Sequence, residues 1–193
     1  MRLMVTVVGV GALGSHLVQF LRNVPNSTIK IIDCDRVEMK NTASQFHTKP
    51  QLGKLKVAAL DQTMKFLFGT TMTTVSHKLV ADNAHQLLAA SDLVVDCLDN
   101  AASRRVVQEY VRAQHLPCVH GALAADGGFG MVVWDQDFRI DSEQGLGTAT
   151  CADGEHLPFI VTVAAYLARA VQQFAKDRAQ WGFSISPTSA VRI

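Results

Sequence analysis

Three glycines near the start of the chain have the spacing of a nucleotide-binding turn. Gly9, Gly11 and Gly14 form a G-x-G-x-x-G pattern between an apolar stretch, 3–8, and a stretch of helical character, 15–22. In such a turn the first glycine permits the bend, the second lets the backbone approach a phosphate, and the third lets the helix pack closely on the strand. The helix start then offers free N–H groups to an anion. The chemistry indicated is phosphate binding.

An acidic residue stands where a ribose hydroxyl is expected. Asp33 follows a second apolar stretch, 29–32, and lies nineteen residues after Gly14. A carboxylate at this distance from the glycine turn binds the ribose of a nucleotide in this type of fold. The combination favours a nucleotide site, although a plain strand–helix turn without a ligand stays open as the alternative.

These residues require alternating strands and helices to bring them together. The apolar and amphipathic patterns predict the order β-α-β-α-β-α-β-α-β, which is typical of a doubly wound parallel sheet with helices on both faces. The predicted strands cover 3–8, 29–32, 73–79, 92–97 and 117–120, closed by Gly121, and the predicted helices cover 15–22, 54–68, 83–90 and 101–115.

The pattern changes beyond Gly121. We expect an antiparallel strand at 129–134, a long polar loop at 135–155, an apolar helix at 158–174, and a tail, 181–193, that holds one more strand. The predicted fold class is therefore α/β, a doubly wound, mostly parallel Rossmann-like sheet with antiparallel strands added in the C-terminal part. The prediction is one domain over 1–193, with a core at 1–121 and the additions at 122–193.

Composition narrows the function classes. The 193 residues carry a net charge of +1 without a basic run, so a nucleic-acid partner is not expected. We find no stretch of the roughly 18 apolar residues that span a membrane. The four cysteines form no C-x-x-C pair, so neither a zinc site nor a disulfide framework is expected, and the predicted location is the reducing cytoplasm.

Four patterns in register resemble the ThiF/MoeB family, the bacterial relatives of ubiquitin-activating enzymes. The resemblance runs over about residues 3–175. Its motifs are the glycine turn, then Asp33-x-Asp35-x-Val37-Glu38-x-x-Asn41-x-x-x-Gln45, then Gly53-Lys54-x-Lys56, and then Cys97-x-Asp99-Asn100 with Arg104.

The resemblance implies an adenylyltransferase that uses ATP and Mg²⁺ to activate the C-terminal glycine of a small ubiquitin-like protein or peptide. It implies that Asp33 holds the ribose, that Gly11 lies against the phosphates, that Asn41 and Lys56 contact phosphates, and that Asp99 binds Mg²⁺. The implied catalytic set is Lys56, Asp99, Asn41 and Cys151, and the implied nucleotide-binding set is Gly9, Gly11, Gly14, Asp33, Asp35, Lys56, Asn100 and Arg104.

Elementary chemistry agrees with these roles but leaves alternatives. A lysine supplies a point charge to phosphates, and one carboxylate with phosphate oxygens is the usual Mg²⁺ arrangement. Asp99 could instead cap the following helix, Asn41 could serve a turn, and Lys56 could belong to a solvated helix start. Arg104 could have a structural role.

Cys151 is a candidate nucleophile. It lies in the polar loop seven residues before Pro158, where family members can carry a cysteine that takes the activated carrier as a thioester or persulfide. A reactive thiol needs a cation or a helix N-terminus nearby, and His156 could serve. The alternative is an ordinary loop thiol. Cys34, Cys97 and Cys118 lie at strand ends, where packing roles are expected.

The chain departs from the family pattern in three places. Ser44 stands where an arginine is expected, the chain begins on a strand without the usual arginine-bearing helix, and the zinc-binding cysteine pairs are missing. Arg36, Lys40 or Arg104 could supply the lost charge. The first two departures bear on catalytic competence because phosphate charge must be neutralised during the reaction.

Three other functions stay open beside adenylation of a carrier protein. These are adenylation of a non-protein carboxylate such as a modified tRNA base, a non-catalytic nucleotide-binding or carrier-docking role, and an NAD-dependent oxidoreductase. The resemblance also implies a homodimer, and the apolar segment 159–166 could form a contact face or belong to the core.

Overall fold

A computed structural model describes residues 2–124, 126–140 and 154–193. The strands are β1 (Leu3–Val8), β2 (Ser27–Ile32), β3 (Thr73–Val75), β4 (Leu93–Asp96), β5 (Cys118–Leu123), β6 (Gly130–Trp134), β7 (Phe183–Ser186) and β8 (Ser189–Arg192). The helices are α1 (Ala12–Leu21), α2 (Lys56–Phe68), α3 (Ala81–Leu88), α4 (Ala101–Ala113) and α5 (Leu157–Asp177), with short 3-10 helices at Met39–Ala43 and Lys49–Gln51.

All eight strands belong to one sheet in the order β3-β2-β1-β4-β5-β6-β7-β8. The strands from β3 to β5 are parallel, and β6, β7 and β8 each pair antiparallel to their neighbour. The predicted fold class is therefore confirmed. The order of the first four parallel strands reverses between β1 and β4, and open α/β sheets bind ligands at the carboxyl ends of the strands beside such a point.

The sheet is buried on both faces because helices cover each one. Val5 and Val7 of β1 face a core built with α1, α2 and α5, while Val8 faces a second core built with α3 and α4. Alternate residues of one strand thus serve two cores, which is why five of the six residues of β1 are apolar instead of every second one.

Helix α5 is the longest helix among the described residues. At 21 residues it is long and apolar enough by composition to cross a membrane, so the expectation that no segment reaches this length is wrong. Half of its 18-residue apolar window is buried inside the fold. Phe159, Ile160 and Val163 lie in the core beside α1 and the sheet, so these residues of segment 159–166 form core rather than a contact face.

The predicted strands differ from the structure at three places in particular. Strand β3 ends at Val75 rather than at residue 79, and β5 continues through Gly121 to Leu123. A Cβ on Gly121 would lie 2.5 Å from Leu13 of α1 and 2.8 Å from Leu167 of α5, so this glycine admits two helices and does not end the strand. The C-terminal tail holds two strands, β7 and β8, instead of one.

Candidate nucleotide-binding site

The predicted site residues gather at the carboxyl edge of the parallel sheet. The glycine turn follows β1, Asp33 follows β2, Asp99 follows β4, and Lys56 begins α2. Because β2, β1 and β4 are neighbours, the three strand ends meet at one place. The topology therefore brings the separate sequence motifs together.

The glycine turn is as tight as its spacing predicts. Gly9 has a φ of +88°, and a Cβ there would lie 3.0 Å from the carbonyl oxygen of Cys97. A Cβ on Gly14 would lie 2.0 Å from the carbonyl oxygen of Gly9, so α1 can approach the turn only with glycine at this position. A Cβ on Gly11, by contrast, would meet only the side-chain Nε2 of Gln45, at 3.9 Å, among the described residues outside its own turn and helix. The space that a phosphate needs is thus next to Gly11.

The first turn of α1 suits an anion. Gly11 is its N-cap residue and makes no side-chain capping bond, and no acidic residue lies in the first turn. The N–H groups at the start of a helix without such a cap carry partial positive charge and lack an internal partner. A phosphate at Gly11 would meet those N–H groups.

Asp33 braces the glycine turn. Its Oδ2 accepts a hydrogen bond from the backbone N–H of Val10 (2.8 Å), and its Oδ1 accepts one from the N–H of Asp35 (2.8 Å). The carboxylate is half-buried. Each oxygen keeps a further acceptor position, so the implied bond to a ribose hydroxyl stays a prediction.

Lys56 lies at the first position of α2 and is paired with Asp35. Its Nζ lies 2.9 Å from Asp35 Oδ2, and its side chain is 8% exposed against 62% for the side chain of Asp35. The backbone N–H of Lys56 also donates to the carbonyl of Asp35 (2.8 Å). The lysine is therefore held at the edge of the site by a partner that water can solvate when a phosphate replaces it.

The segment that includes Asn41 and Ser44 has a structural role in this protein. Asn41 is buried, and its Oδ1 accepts the N–H of Glu38 (2.8 Å), which fixes the first 3-10 helix. Ser44 is 2% exposed, and its carbonyl binds Nε2 of His16 (3.0 Å). Burial lowers the pKa of His16, although this hydrogen bond works in the opposite direction. The turn role foreseen for Asn41 is present, and its phosphate contact stays a prediction.

Two polar atoms beside the glycine turn are buried and lack a hydrogen-bond partner among the described residues. They are Oε1 of Gln45 and Nδ1 of His47. The other ring nitrogen of His47 lies 3.1 Å from the carbonyl oxygen of Val10, and burial lowers the pKa of this histidine. Unsatisfied buried polar atoms are uncommon in native proteins. Their position next to Gly11 fits a site that is completed by a polar ligand.

Gln45 belongs to one of the four sequence motifs but was given no site role, and His47 was not predicted from the sequence. The signal for His47 was weak, because a single histidine after a polar turn has no diagnostic spacing. His47 reaches the glycine turn through its tertiary contact with the carbonyl of Val10, which no local pattern predicts.

Asp99 is exposed at the end of β4, and Asn100 is the residue that caps α4. The Oδ1 of Asn100 accepts the N–H of Ser103 (2.9 Å), and its Nδ2 lies 3.4 Å from Asp99 Oδ1. The alternative that Asp99 caps the helix is therefore wrong, and the carboxylate is available to a ligand. Oxygen donors of this kind suit Mg²⁺, which commonly takes one or two carboxylates together with phosphate oxygens.

Arg104 is part of the protein framework rather than an open cation. Its Nη1 donates to Asp96 Oδ2 (3.1 Å), and its Nη2 donates to the carbonyls of Leu98 and Gly121. The side chain is 11% exposed. The structural alternative for Arg104 is present in the fold, and a direct nucleotide contact stays a prediction.

One further group of possible metal ligands lies at the end of β2. Ligand atoms of Asp33, Cys34 and Asp35 lie within 4.8 Å of one another. Both carboxylates are already engaged, one by backbone N–H groups and the other by Lys56, which favours Asp99 for Mg²⁺. Cys34 is exposed, so its predicted packing role is wrong, whereas Cys97 and Cys118 are buried as expected.

Cys151 lies outside the described residues. Description resumes at Gly154, where an added Cβ would lie 2.9 Å from the carbonyl oxygen of Ala43. The chain thus enters α5 beside the 3-10 helix that contains Asn41.

A cavity of about 940 Å³ lies elsewhere, along α4 and the amino end of β5. Its walls include Arg112, Asp135 and Ile140, and none of the predicted site residues lines it. The predicted site residues therefore lie at the open edge of the sheet and not in this cavity.

Comparisons with known proteins agree with the resemblance to the ThiF/MoeB family. The chain is 31% identical over 121 residues to the SAMP-activating enzyme E1 of Haloferax volcanii, covering 62% of this chain and 45% of that protein. It is 30% identical over 159 residues to the adenylyltransferase and sulfurtransferase UBA4 of Lodderomyces elongisporus, covering 78% of this chain and 35% of that protein. The chain thus spans less than half of either relative.

The fold is also similar to that of a solved structure of E. coli MccB with MccA-N7isoASN. The TM-score is 0.80 at 14% identity, with 99% of this chain and 64% of that chain covered. The ThiF family matches residues 1–173. The resemblance inferred from the four motifs is confirmed, and the chain belongs to the ThiF family.

Proposed function

We propose that this chain is an ATP- and Mg²⁺-dependent adenylyltransferase that activates the C-terminal carboxylate of a small ubiquitin-like carrier protein or peptide. The observation that carries the proposal is the meeting of an open glycine turn, a buried lysine and an exposed aspartate at one sheet edge. Each group answers one need of a reaction between two anions.

The reaction is attack of a carboxylate oxygen on the α-phosphorus of ATP. A bond forms between that oxygen and the phosphorus, the bond from the α-phosphorus to the oxygen bridging to the β-phosphate breaks, and pyrophosphate leaves. Positive charge and backbone donors must therefore hold and align the reactants. The N–H groups at the start of α1 would bind phosphate oxygens beside Gly11, and Lys56 would exchange Asp35 for a phosphate oxygen.

Asp99 would hold Mg²⁺ at the end of β4. The ion, when bound, would neutralise charge on the phosphates and on the departing pyrophosphate. Asn100 fixes the start of α4 directly after Asp99, so the carboxylate is carried on a short, anchored segment. Asp33 would bind the ribose while it keeps the glycine turn in place.

The relatives support the substrate class. One is named as an enzyme that activates SAMP, another as an adenylyltransferase and sulfurtransferase, and the solved MccB structure contains MccA-N7isoASN. We extend this to a carrier with a C-terminal glycine. A non-protein carboxylate, such as one on a modified tRNA base, is the alternative within the same chemistry, and the net charge of +1 argues against RNA.

A non-catalytic nucleotide-binding or carrier-docking role is the second candidate function, and Ser44 is the observation that favours it. The residue is 2% exposed where the family pattern has an arginine, so this position offers neither charge nor reach toward a phosphate. Loss of one such electrostatic contact reduces turnover by about 100- to 1000-fold in well-studied enzymes. An oxidoreductase that uses NAD leaves Lys56 and Asp99 without a role.

The test is ATP–pyrophosphate exchange with Mg²⁺ and candidate carriers that end in Gly-Gly. We expect exchange that requires the carrier and is lost in Asp99→Ala. The matched control is Asp92→Ala, because Asp92 lies just before β4, at the end opposite Asp99, and its side chain accepts the N–H of Met4 (2.7 Å). ATP binding without exchange for any carrier would favour the non-catalytic role. Binding of NAD in place of ATP would contradict the proposal.

Three further parts belong to this proposal. We propose a homodimer, which a monomeric mass by light scattering at micromolar concentration would contradict. We propose a cytoplasmic location, consistent with the free thiols of Cys34, Cys97 and Cys118. We also propose Cys151 as an acceptor of the activated carrier. Its thiolate would attack the carbonyl carbon of the acyl-adenylate, so that a thioester forms and AMP leaves. In Cys151→Ala, exchange should persist while a carrier thioester no longer forms.

A further inference from the structure

A row of charged side chains, Asp96, His120 and Asp135, is buried behind the sheet edge that carries Asp99. His120 of β5 lies between two carboxylates, with Nδ1 at 2.7 Å from Asp96 Oδ2 and Nε2 at 3.2 Å from Asp135 Oδ1. Its ring stacks on Phe138 with a centroid distance of 4.0 Å. His120 and Asp96 have no exposed side-chain surface, so neither can touch a ligand directly.

The two hydrogen bonds favour a charged histidine. An ionised carboxylate only accepts hydrogen bonds, so a ring that lies between two of them donates from both nitrogens. Burial on its own would lower the pKa of His120, but Cys118 and the hydrogen bonds to Asp135 and Asp96 raise it to about 11. Burial would likewise raise the pKa of Asp135, but hydrogen bonds from His120, Arg112 and Gln108 lower it to about 2. The charges in this row of side chains therefore alternate in sign.

This row of side chains contacts the segment before Asp99 through Asp96. The other oxygen of Asp96, Oδ1, accepts the N–H of Leu98 (2.9 Å). Arg104, which also binds Asp96, donates to the carbonyl of Leu98. Both peptide groups of Leu98 are thus held by the buried charges, and Asp99 is the next residue. On its other side the same segment lies against Gly9, the first glycine of the turn.

Stability alone does not account for such an arrangement. Burying ions costs several kcal/mol each in general, and apolar residues of similar size often stabilise a protein as well or better. Two carboxylates and a histidine between β4, β5 and the end of β6 therefore call for a positional role. The segment that they hold is the one that carries the proposed metal ligand.

We propose that His120, supported by Asp135, is a positioning residue for Asp99: it fixes Asp96, and Asp96 with Arg104 fixes the Leu98–Asp99 segment for binding of a metal–nucleotide complex. This inference rests on the proposed function, because it assigns Asp99 to Mg²⁺. It adds residues from β5 and from the end of β6 that do not touch the nucleotide.

The experiment measures binding of α,β-methylene ATP by calorimetry, once with Mg²⁺ and once with EDTA. His120→Asn should weaken the Mg²⁺-dependent part of binding by about tenfold, as outer partners of metal ligands commonly do, and leave binding in EDTA within about twofold. Asp135→Asn is the milder variant should His120→Asn fail to fold, since it removes a charge without changing the shape.

A matched control separates position from stability. Ser91→Ala breaks a buried hydrogen bond to Thr6 (2.6 Å) just before β4, away from Asp99. It should lower the melting temperature and leave the Mg²⁺ dependence unchanged. In an Asp99→Ala background, His120→Asn should have no further effect on Mg²⁺-dependent binding, because residues that act through one another are not additive.

Amide exchange supplies a readout that needs no ligand. The N–H of Leu98 should exchange faster in His120→Asn than in Ser91→Ala, since its acceptor is Asp96. If wild-type protein binds the Mg²⁺ complex and His120→Asn and Asp135→Asn bind it equally well, the inference is wrong while the proposed function stands. If wild-type protein shows no Mg²⁺-dependent binding, the proposed function fails first, and this inference fails with it.

Discussion

Replacing Lys56 with methionine should separate binding chemistry from stability. The Lys56 side chain is 8% exposed, while its partner Asp35 is 62% exposed. Methionine keeps most of the buried aliphatic length and removes the charge. Water can solvate the released carboxylate, and ion pairs with an exposed partner contribute about 1 kcal/mol or less. The free energy of unfolding should therefore change by no more than about 1 kcal/mol.

The effect on the reaction should be much larger. Removing one preorganised electrostatic donor costs about 100- to 1000-fold in turnover, or about 3–4 kcal/mol of transition-state stabilisation. The assay is ATP–pyrophosphate exchange with Mg²⁺ and a carrier, beside thermal unfolding of the same samples. Lys54→Met is the matched control, because it removes the same charge two residues away, where Lys54 bonds the exposed side chain of Gln62 (2.9 Å), and it should retain exchange. Exchange by Lys56→Met within about threefold of wild type would refute the reasoning about this lysine.

Three other variants test separate parts of the structure. Gly14→Ala should lower the free energy of unfolding by about 3 kcal/mol or more, because its Cβ would lie 2.0 Å from the carbonyl of Gly9, whereas Gly53→Ala, with open space at a φ of +81°, should cost about 1 kcal/mol in urea unfolding. Asn100→Ala should cost about 1 kcal/mol by loss of the α4 cap, and a matching loss of ATP affinity in EDTA would instead support the predicted nucleotide contact. The fold raises the pKa of His120 from 6.5 to about 11, so its contribution to stability is complete below pH 6.5 and is lost as the pH rises toward 11. Urea unfolding at pH 6, 8 and 10 should show this decline in wild type and a smaller decline in His120→Asn, and equal slopes would contradict it.

Local patterns were sufficient to predict the parallel half of the fold. The glycine turn, the apolar strands and Gly69, which ends α2 with a φ of +67°, all follow from short-range sequence rules. Gly121 shows where those rules stop. A glycine after an apolar run is typical of a strand end, yet β5 continues because α1 and α5 need the space above it. That requirement comes from residues more than forty positions away in either direction.

The site was predicted where the residues form motifs and missed where they meet only in space. Asp33 was predicted from its spacing after the glycine turn, and Lys56 and Asp99 were predicted from the family resemblance of their motifs. His120 was not, because a histidine on an apolar strand has no distinctive pattern, and its two carboxylate partners lie 24 and 15 positions away. The same holds for His47 and the carbonyl of Val10. Asn41 and Arg104 were predicted to contact the nucleotide, and the contacts seen are within the protein.

The packing of α1 against α5 has a consequence for synthesis of the chain. The apolar face of α1, including Leu13, Leu17 and Leu21, is covered in part by a helix that begins at Leu157. About 136 residues separate the two helices, which at typical elongation rates takes roughly 7 to 27 s. During that interval β2 is already available to pair with β1, but α5 is not yet present to cover α1. A nascent chain of this length should therefore bind chaperones through α1 until α5 has left the ribosome.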